Sequence, residues 1–168
     1  MAIDVVWFKR DLRIRDHAPL LAAAASGRPI LCLLLLEPLR IKQPDVDPIH
    51  LQWELDVAER LDRDLRRRGG ALHVVHADAV EALSSLHQEH VVHTVHAHEE
   101  TGVQWSYDRD KAVASWCTRN GVTFHEHPNN GVIRRLSDRD GWKDARDARI
   151  AAPLLDAPFG LQGVPCDD

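Results

Sequence analysis

Six charged side chains lie within the eight residues that follow an apolar run at positions 5–8. Cations and carboxylates in such a loop can line the rim of a ligand site, where charge-assisted hydrogen bonds are strong. They can also pair with one another and with backbone groups, which would make the loop rigid without glycine and without special backbone dihedrals. The residues alone leave both interpretations open; the six are Lys9, Arg10, Asp11, Arg13, Arg15 and Asp16.

Three further carboxylates each come at the end of an apolar segment. Glu37 follows "ILCLLLL", and Glu99 and Glu100 come shortly after "VVHTVHA". A carboxylate at the end of a strand accepts hydrogen bonds from a polyol or a heterocycle N–H, and it can equally cap the next helix. Both roles stay open for Glu99 and Glu100, whereas Glu37 has no obvious helix to cap and is the better candidate for binding a ligand.

The eleven histidines raise the question of a metal site. Because side chains alternate along a strand, His96 and His98 share one face of a predicted strand, and His125 and His127 share a face of the next. Zinc needs three or four ligands in good geometry, and histidines near strand ends more often form local hydrogen bonds. The sequence therefore predicts no metal site.

The chain lacks the common motifs for phosphate binding and nucleophilic catalysis. No G-x-G-x-x-G follows the first apolar run, and G-x-x-x-x-G-K-[ST] occurs nowhere. Nothing in the sequence marks an activated serine or cysteine. We therefore predict no catalytic residue, and the missing glycine loop counts against a generic nucleotide site.

Composition narrows the class of protein. The 168 residues carry a net charge of −5, with 44% apolar residues and 28% charged residues. A dedicated nucleic-acid-binding protein needs a basic surface to neutralise phosphates, so direct nucleic-acid binding is not expected. The three scattered cysteines exclude a disulfide framework, and "ILCLLLL" is too short to cross a bilayer. With no signal peptide visible, a cytoplasmic protein without membrane contact is expected.

Five short apolar runs alternate with helical patterns along the chain. The alternation predicts an α/β fold, a Rossmann-like five-stranded parallel sheet with helices on both faces. Ligands of such sheets bind beyond the carboxyl ends of the strands. Strands are predicted at 3–8, 29–37, 71–76, 91–97 and 122–127, and helices at 18–26, from a cap at Asp47 to about 68, at 78–90, 101–120 and, shorter, 141–150.

The segment "VVWFKRDLRIRDHAPL", which begins at Val5, resembles the opening signature of the photolyase/cryptochrome family. In that family an aromatic-rich first strand runs into an Arg-Asp-Leu-Arg loop. Lys9 stands where most branches have Arg, and Asp16-His17 replaces the commoner Asp-Asn. The segments "HEETG", "YDRD" and "NNGVIRRL" are similar to the bacterial iron–sulfur photolyases and their cryptochrome-like relatives, and the resemblance covers essentially the whole chain.

The resemblance implies an antenna domain. Residues 1–130 would form the photolyase-type α/β domain and residues 131–168 a linker-like segment, with the FAD-binding helical domain absent from this chain. The family activity is that of a deoxyribodipyrimidine photolyase, a lyase, but FAD and the iron–sulfur cluster belong to the missing domain. This chain is therefore expected to be inactive alone. The antenna of that branch is a 6,7-dimethyl-8-ribityllumazine, and other branches use a folate or a deazaflavin.

The resemblance also suggests where the chromophore would bind. Apolar side chains would sandwich the ring, and polar ones would hold its edge and its ribityl hydroxyls. Phe8 and Leu51 are the expected ring contacts, and Lys9, Glu37 and Glu99 the expected polar contacts. The predicted cofactor-binding set is completed by Asp11, His98 and Glu100.

Two other functions stay open. One is a degenerate interaction module that docks on a helical flavin domain, in the same chain or another; the second is a small nucleotide-binding α/β protein. Apolar residues in the linker-like segment predict either a homodimer that covers part of it or disorder in that tail. These residues are Ile133, Leu136, Trp142, Ile150, Leu154, Leu155 and Phe159.

Overall fold

A computed structural model describes residues 1–134 and 138–166. The predicted α/β fold is confirmed, with five strands and six helices alternating along these ranges. Leu136 lies outside the described residues. The elements are β1 (Ala2–Phe8), α1 (Ala18–Ala25), β2 (Ile30–Leu35), α2 (Pro38–Ile41), α3 (Pro48–Arg66), β3 (Leu72–Val75), α4 (Ala79–Glu89), β4 (Val91–His98), α5 (Gln104–Asn120), β5 (Thr123–His127) and α6 (Trp142–Ala151).

The five strands form one parallel sheet in the order β3-β2-β1-β4-β5. Apolar side chains of β1 and β2 are buried on both faces, which is why these strands read as continuous apolar runs. One core lies between the sheet and the helices α1 and α3, and the other between the sheet and α4 and α5. Because β1 lies at the centre, the charged loop after Phe8 begins at the middle of the sheet's carboxyl edge.

Helix α3 begins at the predicted cap. The side chain of Asp47 accepts a hydrogen bond from the backbone N–H of Ile49, and Pro48 occupies the first turn. Apolar spacing predicts a buried stripe on this helix, formed by Leu51, Leu55, Ala58, Leu61 and Leu65. The prediction is wrong at Leu55, which is 38% exposed, while the neighbouring Glu54 is buried. The stripe shifts there because Glu54 has an ion-pair partner on α2.

Helix α2 is a single turn that the apolar periodicity does not show. The sequence predicts a polar connection at 39–46, but Pro38 starts a helical turn that runs to Ile41. Glu37 stands at the N-cap position of this turn without a side-chain capping bond. Its carboxylate is therefore free to reach across to other elements.

The end of the described chain is ordered against the sheet. Ile30 donates its N–H to the carbonyl of Gln162, and Val164 donates to the carbonyl of Ile30, at 2.8 and 2.9 Å. The side chains of Leu161 and Val164 are buried. This segment therefore packs against the start of β2, while the homodimer and the disordered tail both stay predictions. Within the described residues, no helix is both long and apolar enough to span a bilayer.

Candidate functional site

A cavity of about 300 Å³ opens at the carboxyl ends of β1 and β2. Strand β1 and its loop form one wall, the segment from α2 to the first turns of α3 forms a second, and α5 forms a third. This is the edge at which parallel α/β sheets bind ligands. The residues that line the cavity include Trp7, Phe8, Lys9, Arg10, Glu37, Arg40, Val46, Trp53, Glu54, Glu100, Trp105 and Arg109.

Arg109, on α5, organises the charges of the cavity. Its guanidinium donates to Glu37 at 2.8 Å, to Glu100 at 3.2 Å and to Asp110 at 2.9 Å. Its planar fork allows one cation to bind carboxylates from three elements. Burial alone would lower the pKa of Arg109, but Asp110 and Glu37 outweigh it and hold that pKa above its usual value. Arg109 therefore remains a cation that joins the β2 end, the β4 end and α5.

Lys9 is a buried cation at the floor of the cavity. Its ammonium donates to the carboxylate of Asp110 at 2.5 Å and to the backbone carbonyl of His98 at 3.0 Å. Burial lowers the pKa of Lys9, and the adjacent Asp110 opposes that shift. Lys9 therefore ties the end of β1 to both β4 and α5.

Two of the three buried glutamates that line the cavity, Glu37 and Glu100, have opposite pKa shifts. Burial raises the pKa of Glu37, and Arg109 offsets only part of that shift. Burial would also raise the pKa of Glu100, but Arg10, Lys9 and Arg109 outweigh it and bring that pKa below its usual value. The neighbouring cations therefore favour the ionised form of Glu100, whereas burial favours the neutral form of Glu37.

Glu100 also shapes the turn that precedes α5. One of its carboxylate oxygens accepts hydrogen bonds from Arg10 at 2.6 Å and from the backbone N–H groups of Thr101 and Gly102. Glu100 therefore caps the turn before α5 and also lines the cavity, while its contact with a ligand stays a prediction.

Aromatic rings supply the apolar part of the wall. Trp7 is buried, and Lys9 and Arg109 lie 4.6 and 4.7 Å from its ring centroid. Arg109 also lies 5.2 Å from the ring of Trp105. Trp53 is 66% exposed at the α3 wall. A planar ring that enters the cavity would therefore meet aromatic faces and a balanced set of charges.

A bidentate ion pair fixes the α2–α3 wall. Arg40 donates to the two carboxylate oxygens of Glu54 at 2.8 and 2.6 Å. Both side chains are largely buried, so the pair holds the short helix α2 against α3. This wall is consequently positioned by side-chain geometry rather than by the sheet.

The cavity brings together four of the eight predicted cofactor-binding residues. Phe8, Lys9, Glu37 and Glu100 line it. Leu51 is half-buried and does not line the cavity, whereas Trp53 and Glu54 of the same helix do, so its expected ring contact stays a prediction.

The remaining three residues lie outside the cavity wall. Glu99 lies beside Arg134 and Arg149, with N–O separations of 3.9 and 3.6 Å. Asp11 and His98 are buried and contact each other on the other side of the charged loop. These three side chains lie near the cavity but do not line it.

Asp11, His98 and His17 form a buried cluster that locks the charged loop. One carboxylate oxygen of Asp11 accepts the N–H of Lys9 at 2.7 Å, and the other contacts both histidine rings. Burial would raise the pKa of Asp11, but His17 and His98 outweigh it and hold that pKa far below its usual value. His17 also accepts the N–H of Leu20 and so caps α1.

The charged loop is rigid, but not for the reason that the sequence suggests. Its cations pair mainly with other elements, as Lys9 does with Asp110 and Arg10 with Glu100. One special dihedral is also needed, because Asp16 has φ of 53°. Aspartate tolerates this left-handed conformation better than most residues, and Arg13 donates twice to the carbonyl of Asp16.

Sequence reasoning missed Arg109 and Trp105 as wall residues. Arg109 belongs to the segment "YDRD", which carries part of the family resemblance but predicts no contact with a ligand. Trp53 carried a clearer signal, because it lies half a turn off the apolar stripe of α3. Its exposure at the cavity is what that position predicts.

The structure places these histidines in two separate clusters, which the sequence does not predict. His96 approaches His125 and His127 on the neighbouring strand, whereas His98 faces Asp11 and His17. Burial, followed by the neighbouring His125 and His96, lowers the pKa of His127 to about 3. Burial likewise lowers the pKa of His96, against the opposing effect of Asp4.

The comparisons with known proteins agree on one family. The sequence model described as DNA photolyase matches residues 4–150. The deoxyribodipyrimidine photo-lyase of Agrobacterium fabrum is 30% identical over 169 residues, which cover 93% of this chain and 31% of that protein. The crystal structure of a Synechocystis cryptochrome matches with a TM-score of 0.81 at 18% identity, over 98% of this chain and 38% of that one.

A second solved structure has the same fold. An archaeal photolyase from Sulfolobus tokodaii, described with two FAD molecules and the implication of a novel light-harvesting cofactor, matches with a TM-score of 0.79 at 18% identity. The match covers 98% of this chain and 39% of that one. This chain therefore spans between 31% and 39% of the length of these three proteins.

Proposed function

This chain belongs to the DNA photolyase family, as an α/β domain of the photolyase/cryptochrome type, and on that premise we propose that it binds a light-harvesting antenna chromophore. The cavity at the carboxyl edge of the sheet is the proposed binding site. Its volume of about 300 Å³ falls at the lower end of small-molecule sites, which span roughly 300–1,000 Å³.

The cavity's combination of aromatic faces and internally paired charges carries this proposal. Trp53, which is exposed, and Trp105, which is half-buried, offer apolar surface for a planar ring. Glu37, Lys9 and Arg109 offer hydrogen-bond acceptors and donors whose charges already balance one another. A neutral heterocycle with a hydroxylated tail suits such a site better than a phosphate, which would need unpaired cations.

Within this function we propose a ribityl-lumazine as the pigment. Lumazine has ring N–H and carbonyl groups on one edge and hydroxyls on its tail, which match Glu37 and the donors of Arg109 and Lys9. The motifs "HEETG", "YDRD" and "NNGVIRRL" support the iron–sulfur branch, in which this pigment is expected.

A titration tests the proposal. Purified chain is titrated with 6,7-dimethyl-8-ribityllumazine and binding is followed by pigment fluorescence anisotropy, with a folate and a flavin as alternative pigments. We expect saturable binding of the lumazine at one site per chain. Binding of a folate or flavin alone would retain the antenna function and overturn the lumazine assignment, whereas failure of all three would overturn the antenna function itself.

A matched pair of variants locates the site. Val46→Trp places a bulky ring in the cavity wall and should abolish pigment binding, because the added volume occupies the space of the ligand. Val91→Trp adds the same ring at an exposed position where β4 begins, and should leave binding unchanged. Equal binding by the two folded variants would show that the pigment binds elsewhere.

We further propose that the chain alone has no photorepair activity. The described residues form the α/β domain, and the flavin chemistry of the family is expected in a helical domain that supplies FAD. Light-dependent cleavage of pyrimidine dimers by the purified chain would contradict this.

The second candidate function is a docking module for a helical flavin domain. The observation that favours it is a set of exposed apolar side chains along the segment after β5. If no pigment binds but an added helical flavin domain does, this function replaces the antenna function. The exposed side chains are Trp142, Ile150, Leu154 and Phe159.

A further inference from the structure

Three histidines meet on the face of the sheet that α1 covers, away from the chromophore cavity. His96 lies on β4, and His125 and His127 lie on the neighbouring edge strand β5, with His96 and His125 paired in register. We refer to His96, His125 and His127 as the histidine triad. One ring nitrogen from each lies within 4.8 Å of the other two.

The spacing within the triad is close to that of a metal site. Two nitrogens bound to one tetrahedral zinc at about 2.0–2.1 Å lie roughly 3.3 Å apart. His96 Nδ1 and His127 Nε2 are 3.4 Å apart. The ring of His125 stacks on that of His127 with centroids 4.0 Å apart, so it must turn toward the common point. His125 is exposed and its χ2 torsion is broad, so this rotation costs little.

Two buried polar atoms beside the triad have no hydrogen-bond partner among the described residues. They are Nε2 of His96 and Oδ2 of Asp4, which lie 3.7 Å apart. His96 is 5% exposed and Asp4 is fully buried, so water does not readily satisfy either atom. Buried groups left in this way call for an explanation.

A metal on the other ring nitrogen of His96 would explain both atoms. A metal at Nδ1 fixes the proton on Nε2, which then points at the Asp4 carboxylate. Metal-bound histidines commonly donate their second N–H to a carboxylate in this manner. Asp4 is itself held by Arg28, whose Nε donates to Oδ1 at 2.9 Å. Asp4 is therefore held in place beside the nitrogen of His96 that a metal-bound ring would leave protonated.

We propose that the histidine triad binds a divalent transition-metal ion of the zinc class, with three imidazole ligands and a fourth position open to solvent beside His125. Imidazole nitrogens suit zinc and its borderline neighbours rather than magnesium or calcium. The exposed edge at His125 provides the entry path that the site needs. The site is separate from the chromophore cavity, because none of the three histidines lines that cavity wall.

The other cluster of potential ligands does not share these features. Asp11, His17 and His98 also lie close together, but all three are buried, and Asp11 contacts both histidine rings. Their nitrogens and oxygens are used to cap α1 and to hold the charged loop. This cluster therefore serves as a structural lock and offers no entry for an ion.

The test is a metal titration of the whole chain after treatment with a chelator. Zn²⁺ binding is followed by calorimetry, and Co²⁺ is used as a spectroscopic probe of nitrogen coordination. We expect one ion per chain and a Co²⁺ absorption spectrum typical of imidazole ligands. Absence of saturable Zn²⁺ binding to the folded chain would overturn the proposal.

Three variants test which histidines bind the metal and whether Asp4 supports one of them. His125→Ala removes an exposed ligand without disturbing the core and should weaken Zn²⁺ binding by more than the roughly 10–100-fold typical of second-shell changes. Asp4→Asn should weaken binding within that range of about 10–100-fold. His76→Ala is the matched control, because His76 is exposed beyond β3, at the opposite edge of the sheet.

Circular dichroism establishes that each variant is folded before its affinity is compared. Since His125 is exposed, this variant keeps the test valid even if Asp4→Asn unfolds the chain. If His125→Ala binds Zn²⁺ as tightly as the wild type, or His76→Ala weakens binding as much as His125→Ala does, the triad is not the site.

Discussion

Arg109 shows how much of the cavity depends on a single side chain. It binds carboxylates that arise from the end of β2, the end of β4 and α5, and it lies between two tryptophan rings. A buried charge is tolerated only while its partners remain in place, since removing one partner leaves the others uncompensated. The stability of the domain and the shape of its cavity are therefore linked at this residue.

Replacing Arg109 should destabilise the domain strongly. Arg109→Leu leaves Glu37 and Glu100 buried without their shared cation, so we expect the free energy of unfolding to fall by about 3–5 kcal/mol. Urea denaturation measures the change. Lys111→Ala, which removes an exposed ion pair with Asp108 on the same helix, is the control and should leave the midpoint unchanged. Equal midpoints for the two variants would contradict the organising role of Arg109.

His17 should make the stability of the domain sensitive to acid. Burial lowers the pKa of His17, against the opposing effect of Asp11. The unfolded chain therefore takes up a proton near pH 6.5 that the folded chain does not. The contribution of His17 to stability is complete above that pH and is lost as the pH falls below it. Asp11, with its pKa held low, acts in the same direction at lower pH.

His17→Asn tests this sensitivity. The asparagine oxygen can still cap α1, and the residue does not titrate. We expect the urea midpoint of the variant to fall less than that of the wild type between about pH 7 and about pH 5. An identical fall in the two proteins would show that the acid sensitivity arises from the other buried histidines.

At this scale the sequence identified the residues that border strands and missed those that reach in from helices. Phe8, Lys9 and Glu37 lie at the cavity because they follow the ends of central strands, a position that periodicity predicts. Arg109 extends into the cavity wall from α5 through a long side chain, and the spacing of residues in the sequence does not predict where that side chain ends. Leu51 does not line the cavity, whereas Trp53 and Glu54 of the same helix do.

Among the elements, the segment at 161–164 has a larger structural role than a linker. It adds backbone hydrogen bonds to Ile30 at the start of β2 and passes against Gly69 and Gly70, where α3 gives way to β3. Gly163 lies so close to this turn that a Cβ atom would be 2.6 Å from Gly70 Cα and 2.7 Å from the Gly69 oxygen. Glycine is required there by contact with backbone.

Gly163→Ala should therefore loosen this contact. We expect the free energy of unfolding to fall by about 1–3 kcal/mol, as overpacking usually costs. The control is Gly141→Ala, because a Cβ at Gly141 meets no described atom within 4 Å and its φ of −83° suits alanine. Thermal melts compare the two variants. A melting temperature for Gly163→Ala equal to that of Gly141→Ala would show that the contact is dispensable.

The sequence predicts the presence of a strand or helix well where its apolar pattern is long. All five strands and the helices α1, α3, α4, α5 and α6 follow from alternating runs, caps and terminal glycines. The single turn α2 was missed because four residues carry no periodicity. The docked tail was missed because its main contacts are backbone hydrogen bonds, which any sequence can make.

For the whole molecule, the open question is what covers the apolar side chains after β5. Phe159 is 82% exposed and Leu154 is 64% exposed, although the segment is ordered. A homodimer remains our prediction for the isolated chain, since exposed apolar surface favours self-association.

Sedimentation over a range of concentrations tests the dimer. We expect a monomer–dimer equilibrium that Phe159→Ser shifts toward monomer. Ile49→Ser, an equally polar change at an exposed position of α3, should have no effect. A wild-type chain that stays monomeric at every concentration would rule out self-association through this segment.

The strand order also affects how the chain folds as it is made. The central strand β1 is synthesised first, but its partner β4 begins only at Val91. At about 5–20 residues per second, the ribosome needs roughly 4 to 17 s to deliver that partner. During this interval β1, β2 and β3 can pair under α1 and α3, while the other edge of β1 stays open. Until β4 emerges, a nascent chain therefore presents an unpaired row of backbone N–H and C=O groups along β1, which favours pairing with other chains.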